Sequence, residues 1–227
     1  MSYTYSTFKT ALAGALVLDE TDPDFIAGLP TVIDNAEQRC YRDLDLVATS
    51  VAVNGTMTMY NRYFTLPTSA GHIIVVDAIN VFDSSQVRHS MRPVSRDVVD
   101  MFWPSDVSDP DAIPEIFARV DDGRVLVGPA PGSALTAEVV GTIRPDPLSS
   151  TNASTFLSLY VSDVFFAASM ETACGVILKN YGAQADDPRS AMSWEASYQA
   201  RLASAKGEEL RKNYIVQMST LPSSVKA

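Results

Sequence analysis

Cysteine is nearly absent from this chain. Cys40 and Cys174 are the two in 227 residues. They share no CxxC spacing and allow at most one bridge, which excludes a disulfide scaffold and suits a reducing compartment. Histidine is as scarce: His72 borders an apolar strand and His89 sits in an Arg-flanked turn, both read as ordinary strand-edge or surface residues. No HxxxH, CxxC or DxDxDG spacing exists, so neither a zinc nor an EF-hand site can be argued. Nor is there a GxxxxGK(S/T) loop, a GxGxxG turn or a GxSxG elbow. No enzyme and no cofactor is expected. Basic charge is also short, with 17 Lys+Arg against 27 Asp+Glu and a net charge of -10. That balance argues against a nucleic-acid grip, which needs cations to displace counterions from phosphates. The longest apolar stretch, Leu159 to Leu178, is interrupted by Ser162, Asp163, Ser169, Glu171, Thr172 and Gly175, so no membrane span is expected. The start lacks the basic and apolar regions of a signal peptide. The expectation is a soluble protein made inside the cell, with the sequons at Asn54 and Asn152 coincidental.

What is present divides into helical ends around a β-rich middle. Residues 4–18 set Phe8, Leu12, Ala15 and Leu16 at helical spacing. Asp22-Pro23 reads as an N-cap followed by the first helical position. Pro30 lacks an N–H and clashes with the preceding turn. The expectation is therefore one turn near residues 23–28 and a stronger helix from Pro30 to about Leu46. Its apolar stripe is Ile33, Ala36, Cys40 and Leu44, with Glu37, Arg39, Arg42 and Asp43 beside it.

From Val47 to Ile143 Thr, Val, Ile, Tyr and Phe dominate, with Gly or Pro every ten residues or so, which suits short antiparallel strands. The clearest hairpin is Ile116–Val120 with Arg124–Val127, whose Asp121-Asp-Gly123 loop predicts a positive φ at Gly123. Val94 to Ile113 is Asp- and Pro-rich and reads as a loop or short turn. Its acids Asp106, Asp109 and Asp111 read as a solvated loop in preference to a cation site. Trp103, in Met101-Phe-Trp-Pro104, is either an exposed anchor or a cap over the β-domain. The segment Arg144–Asn152 hands the chain back to helix. Residues 154–181 are apolar over most of the circumference and predict one long helix buried on more than one side. Asp187-Pro188 opens a last helix to about Lys212, with Ala191, Trp194, Tyr198, Leu202 and Ala205 inward.

The fold class is thus α+β. Residues 1–46 and 151–212 read as helical, packed in a bundle or against another subunit, and residues 47–150 read as an inserted antiparallel β-domain, a sandwich or open barrel. Residues 213–227 form a C-terminal tail. That tail carries Tyr214, Ile215, Val216, Met218 and Leu221, whereas a free tail is usually polar. Charge is uneven as well: residues 1–46 hold 8 acids and 3 bases, residues 189–227 hold 3 acids and 6 bases. Opposite signs at the two ends favour docking between subunits or to a partner.

Three stretches carry a family resemblance. Phe25…Leu29-Pro-Thr-Val-Ile33…Ala36-Glu37…Arg39…Arg42-Asp-Leu44 is similar to a proline-led helix ending in an AE-x-R…RDL pattern. Thr142-Ile-Arg-Pro-Asp-Pro-Leu-Ser-Ser-Thr-Asn152…Thr155-Phe-Leu157 resembles the loop that closes a β-domain and starts a long helix. Trp194…Tyr198…Leu202…Glu208-Glu209…Arg211 resembles that family's last helix. Their order and spacing over residues 3–212 resemble the phage head-to-tail adaptor, or connector, family, which includes the tail tubular A-like portal-binding ring proteins.

The resemblance implies that residues 1–46 and 151–212 form a helical bundle carrying the inserted β-domain, in a structural virion protein of the neck made in the bacterial host cytoplasm. It would form a homo-oligomeric ring, twelvefold in that family, bound to the portal protein. Such a ring extends the DNA channel, lets DNA pass without sequence-specific binding, and gives the next tail or nozzle protein its platform. On this reading Tyr214, Ile215, Val216, Met218 and Leu221 dock to the portal, and Glu37, Arg39 and Arg42 line the subunit seam. Phe102, Trp103 and Asp106 meet the next tail component. The alternative is an oligomeric receptor- or carbohydrate-binding module of a phage tail, with Tyr60, Tyr63, Phe102 and Trp103 stacking on sugar rings.

Overall fold

The computed structural model describes residues 2–107, 109–178 and 188–219, the side chains of 188 and 213–219 excepted. The chain is α+β and divides into two compact units. Unit 1 comprises Met1–Val47 and Asp146–Ala227, and unit 2 comprises Ala48–Pro145.

In unit 1, α1 (Tyr5–Leu16) opens on a reciprocal cap between the hydroxyls and N–H groups of Thr4 and Thr7. It ends at Val17, whose φ of 58° lies in the left-handed region and whose N–H bonds back to Ala13 and Gly14. α2 (Pro23–Asp43) begins as the sequence suggests. The Asp22 carboxylate accepts the N–H groups of Asp24 and Phe25, and Pro23 occupies the first turn. The expected interruption at Pro30 does not occur, because one helix runs through it. Ile26, whose carbonyl loses the N–H that position 30 would otherwise supply, and Pro30 both lie on the exposed face, where solvent can serve a carbonyl that the helix does not. The opposite face stays an unbroken stripe of Phe25, Leu29, Val32, Ile33, Ala36 and Cys40, all buried.

The single helix expected over 154–181 is broken in two. α4 (Phe156–Tyr160) and α5 (Ser162–Val176) meet at Val161, which has φ -125° and ψ 34°. A Thr155–Ser158 capping box defines the start of α4. α6 (Pro188–Ser219) continues past the expected stop near Lys212. Tyr214 to Met218 therefore belong to its backbone, and Leu221 lies outside the described residues. α5 packs on α2 and α6, and Phe8 of α1 stacks on Phe165 with ring centroids 4.7 Å apart. Burying these side chains stabilises the unit by roughly 1.5–3 kcal/mol for each large one.

Among the described residues unit 2 has eight strands: β1 (Ser50–Met57), β2 (Tyr63–Thr65), β3 (His72–Phe82), β4 (Arg88–Ser90), β5 (Arg92–Pro93), β6 (Ile116–Arg119), β7 (Arg124–Gly128) and β8 (Leu135–Arg144). They form two four-stranded sheets, ordered β1-β8-β3-β4 and β2-β7-β6-β5, and neither closes into a barrel. Pairing is antiparallel except between β5 and β6, which run parallel, so the second sheet is mixed. The sheets share one core. β8 sends Leu135, Ala137, Val139 and Ile143 inward to meet Ile79 and Val81 of β3 and Phe117, Val125 and Val127 of the other sheet. Two irregularities in β3, between Ile73 and Val75 and between Val76 and Ala78, bend it over β8. There the Val75 carbonyl oxygen lies 2.2 Å from where a Cβ on Gly141 would stand, so position 141 admits only glycine.

The β6–β7 hairpin forms, but without the expected positive φ at Gly123. Asp121 closes the loop instead, its carboxylate accepting the Gly123 N–H at 2.9 Å. The segment read as a loop contains a helix, α3 (Arg96–Phe102), held on the sheet by fully buried Val99.

Candidate functional site

Three regions hold the residues singled out from the sequence. In the first, on α2, Glu37 is 2% exposed. Its carboxylate accepts the Leu148 N–H at 3.2 Å and the Thr155 hydroxyl at 2.9 Å. Desolvation pushes its pKa up to about 7, against the pull of those two hydrogen bonds. Glu37 thus ties α2 to the returning segment and to the cap of α4, inside its own chain. Arg39 is likewise engaged internally. Its guanidinium lies 2.7 Å from the Glu195 carboxylate and 3.3 Å from Glu171, and 4.1 Å above the Tyr198 ring. Tyr198, fully buried, donates its hydroxyl to Asp43 at 2.7 Å, and burial raises its pKa. Cys40 beside them is free and buried, its thiol pushed up to about 12 by desolvation. Of the three charges placed at a subunit seam, Arg42 alone is exposed, its Nε donating to the Gln38 carbonyl.

Around the second region, α6, large apolar side chains face solvent: Met192 is 69% exposed, Leu210 68%, and Tyr160 of α4 74%. An open groove of about 460 Å³ is lined by Tyr3, Ser162, Asp163, Phe166, Trp194 and Arg201. Trp194, expected in the core, is only half-buried, edge-on to Phe166 at 6.2 Å.

The third region is the end of α3 in unit 2. Trp103 lies across β7, its ring 2.9 Å from where a Gly128 Cβ would stand. This resolves the choice left open by the sequence in favour of a cap. Phe102 and Met101 turn outward, and Asp106 is exposed. Arg62, almost fully buried, reaches Asp100 at 2.6 Å, which fixes α3 beside the segment carrying exposed Tyr60 and Tyr63.

Sequence reasoning found Glu37 but not its partners. The Thr155-x-x-Ser158 capping pattern was the available signal for Thr155, and nothing local marks the Leu148 amide. Met101, Tyr160, Met192 and Leu210 were missed because single exposed apolar residues leave no periodic trace.

A cleft of about 670 Å³ in unit 2 includes Arg88, His89, Asp111 and Glu115. Two of its polar groups are engaged elsewhere, Arg88 with Glu138 and His89 with Asp83. Among the described residues no cluster of His, Cys, Asp and Glu is placed to hold a metal ion, and no helix is long and apolar enough to cross a membrane. A comparison with curated proteins returns no match. The family model described as SU10 adaptor protein matches residues 3–220, almost the full length, and the chain therefore belongs to this family of phage head-to-tail adaptors.

Proposed function

We propose that this chain assembles as a ring beneath the portal, extends the DNA channel and carries the tail. The observation that carries the reading is the family match over residues 3–220. An adaptor of this class is a structural protein of the virion neck, associating with portal and tail components. The helices of unit 1 are the bundle that packs laterally, in twelve copies. Exposed Arg42 is the seam residue, since Glu37 and Arg39 are engaged within the chain. The net charge of -10 suits a lumen through which DNA slides, because carboxylates do not grip phosphates. The last turns of α6, with Tyr214, Ile215, Val216 and Met218, and the following Leu221, dock to the portal. Exposed Phe102 and Asp106, with Trp103 bracing them, meet the next tail component.

Light-scattering mass of the chain, alone and mixed with the portal from the same genome, tests this. A small species that joins the portal as a ring is the expected result, and no association at any ratio refutes it. Truncation before Asn213 removes portal binding while the circular dichroism of the rest is kept. A truncated chain that docks normally refutes the assignment of that segment. A second reading is favoured by the exposure of Tyr60, Tyr63 and Phe102 beside the Arg62–Asp100 pair: a carbohydrate-binding face on unit 2. Glycan-array binding that survives in the wild type and is lost on alanine substitution of all three supports it.

A further inference from the structure

The first sheet of unit 2 ends on two very different edges. β4 is three residues long and carries Arg88 and His89, the short, charged kind of edge that resists pairing with another chain. β1, at the other end, runs eight residues, Ser-Val-Ala-Val-Asn-Gly-Thr-Met. It holds no charge and no proline. Its backbone pairs with β8 on one side. Among the described residues no other group bonds to the N–H and C=O groups turned away from β8. The remaining edges, β2 and β5, are three and two residues long. A long, uncharged, unpaired edge is a template for another strand.

The sequence of β1 fits a second copy of itself. Exposure alternates, with Ser50, Ala52, Asn54 and Thr56 facing out and Val51, Val53 and Gly55 half-buried toward the core. Residues directly opposite across a pair share a face, so the two inner faces stay together only if like is set against like. Antiparallel pairing centred on Val53 does this. It sets Val53 against Val53, Ala52 against Asn54, Val51 against Gly55 and Ser50 against Thr56, small against small throughout. Charge favours the same place. In a chain of net charge -10 most surfaces repel a second copy. Here the seam has no ionisable group, and the neighbouring Glu138 on β8 is held by Arg88 at 2.5 Å and Asn80 at 2.9 Å.

We propose that two free chains pair antiparallel along β1 about a two-fold axis at Val53, joining two four-stranded sheets into one of eight strands. A two-fold contact cannot close a ring of cyclic symmetry, so the pair belongs to the chain before it meets any partner, and the proposal stands apart from the ring reading.

Sedimentation equilibrium and hydrogen exchange over a concentration series test it. The wild-type mass rises towards twice that of the monomer, and amides of the 50–57 segment slow in step. The double variant Ala52→Lys/Asn54→Lys sets ammonium groups against each other across the seam, while position 54 faces Glu138 within its own sheet. It remains monomeric with an unchanged circular dichroism spectrum. Under mild oxidation Val53→Cys, self-paired in this register, gives a covalent dimer, and Ser50→Cys, set against Thr56, does not. A wild-type chain that stays monomeric at every concentration overturns the proposal. So does a lysine variant that still dimerises, or a position-53 thiol that does not cross-link.

Discussion

Replacing Glu37 by Gln removes a buried carboxyl whose proton equilibrium folding shifts up to neutrality. In the folded chain Glu37 keeps its proton up to about pH 7, against an ordinary 4.5. The folded state thus binds this proton more tightly than the unfolded state, and folding takes up a proton between those limits. The stability associated with Glu37 is fully present below pH 4.5 and is lost as pH rises through 7. At about 1.4 kcal/mol per pH unit the whole loss is about 3 kcal/mol, of which roughly 2–3 kcal/mol falls between pH 5 and 8. The glutamine variant keeps an acceptor for Leu148 and has no proton to lose. Its stability minus that of wild type therefore rises by that amount from pH 5 to pH 8. Groups common to both proteins, such as Asp83 and Asp100, whose pKa values are lowered by hydrogen bonds from His89 and Arg62, cancel in the difference. Urea titration at four pH values measures it, followed by Trp194 fluorescence on a Trp103→Phe background so that the signal comes from unit 1. Parallel stability curves for the two proteins would refute the claim that this carboxyl is buried and desolvated.

Two further substitutions test the backbone of unit 1. Val17→Gly relieves a β-branched residue of a left-handed φ of 58° at a site 85% exposed; it should stabilise by about 1 kcal/mol in thermal melts, and a lower melting temperature contradicts the reasoning. Pro30→Ala restores an N–H for the Ile26 carbonyl in the middle of α2. The helix gains up to about 3 kcal/mol and the unfolded chain regains about 1 kcal/mol of entropy, so a net gain of roughly 1–2 kcal/mol is expected in urea titration, and a loss shows that the proline fits a bend the packing requires.

The parts of the fold that were legible in the sequence are those set by local chemistry. The Asp22-Pro23 cap, the stripe through Ile33, Ala36 and Cys40, and the 116–127 hairpin depend on residues a turn apart, and the structure has each of them. What escaped depends on surroundings. Pro30 reads as a helix breaker until it is known to face solvent, on the side of the helix where the Ile26 carbonyl it leaves unserved is also exposed to water. Val99, the buried residue that seats α3 on the sheet, gives no periodic signal in so short a helix among Asp and Pro neighbours. The parallel β5–β6 pair involves two residues of β5, too few to show alternation. At the candidate contacts, charge misled. Glu37 and Arg39 stand beside an apolar stripe and read as charges for a subunit seam, whereas their partners within the chain, Thr155, Leu148, Glu171 and Glu195, come from the far side of the insertion, beyond the reach of any local pattern.

The discontinuity of unit 1 also dictates an order of events during synthesis. Chains emerge from the ribosome N-terminus first, and domains fold as they become complete. α1 and α2 leave the ribosome with Phe8, Phe25, Leu29 and Val32 uncovered, since the residues that bury them lie on α5 and α6. All of unit 2 is made in the interval, and its strands need nothing beyond residue 145 to complete both sheets. The β unit is therefore finished while the N-terminal helices still wait. The nascent chain is most exposed to aggregation and to host chaperones during that wait, which ends only when the last helix has been translated.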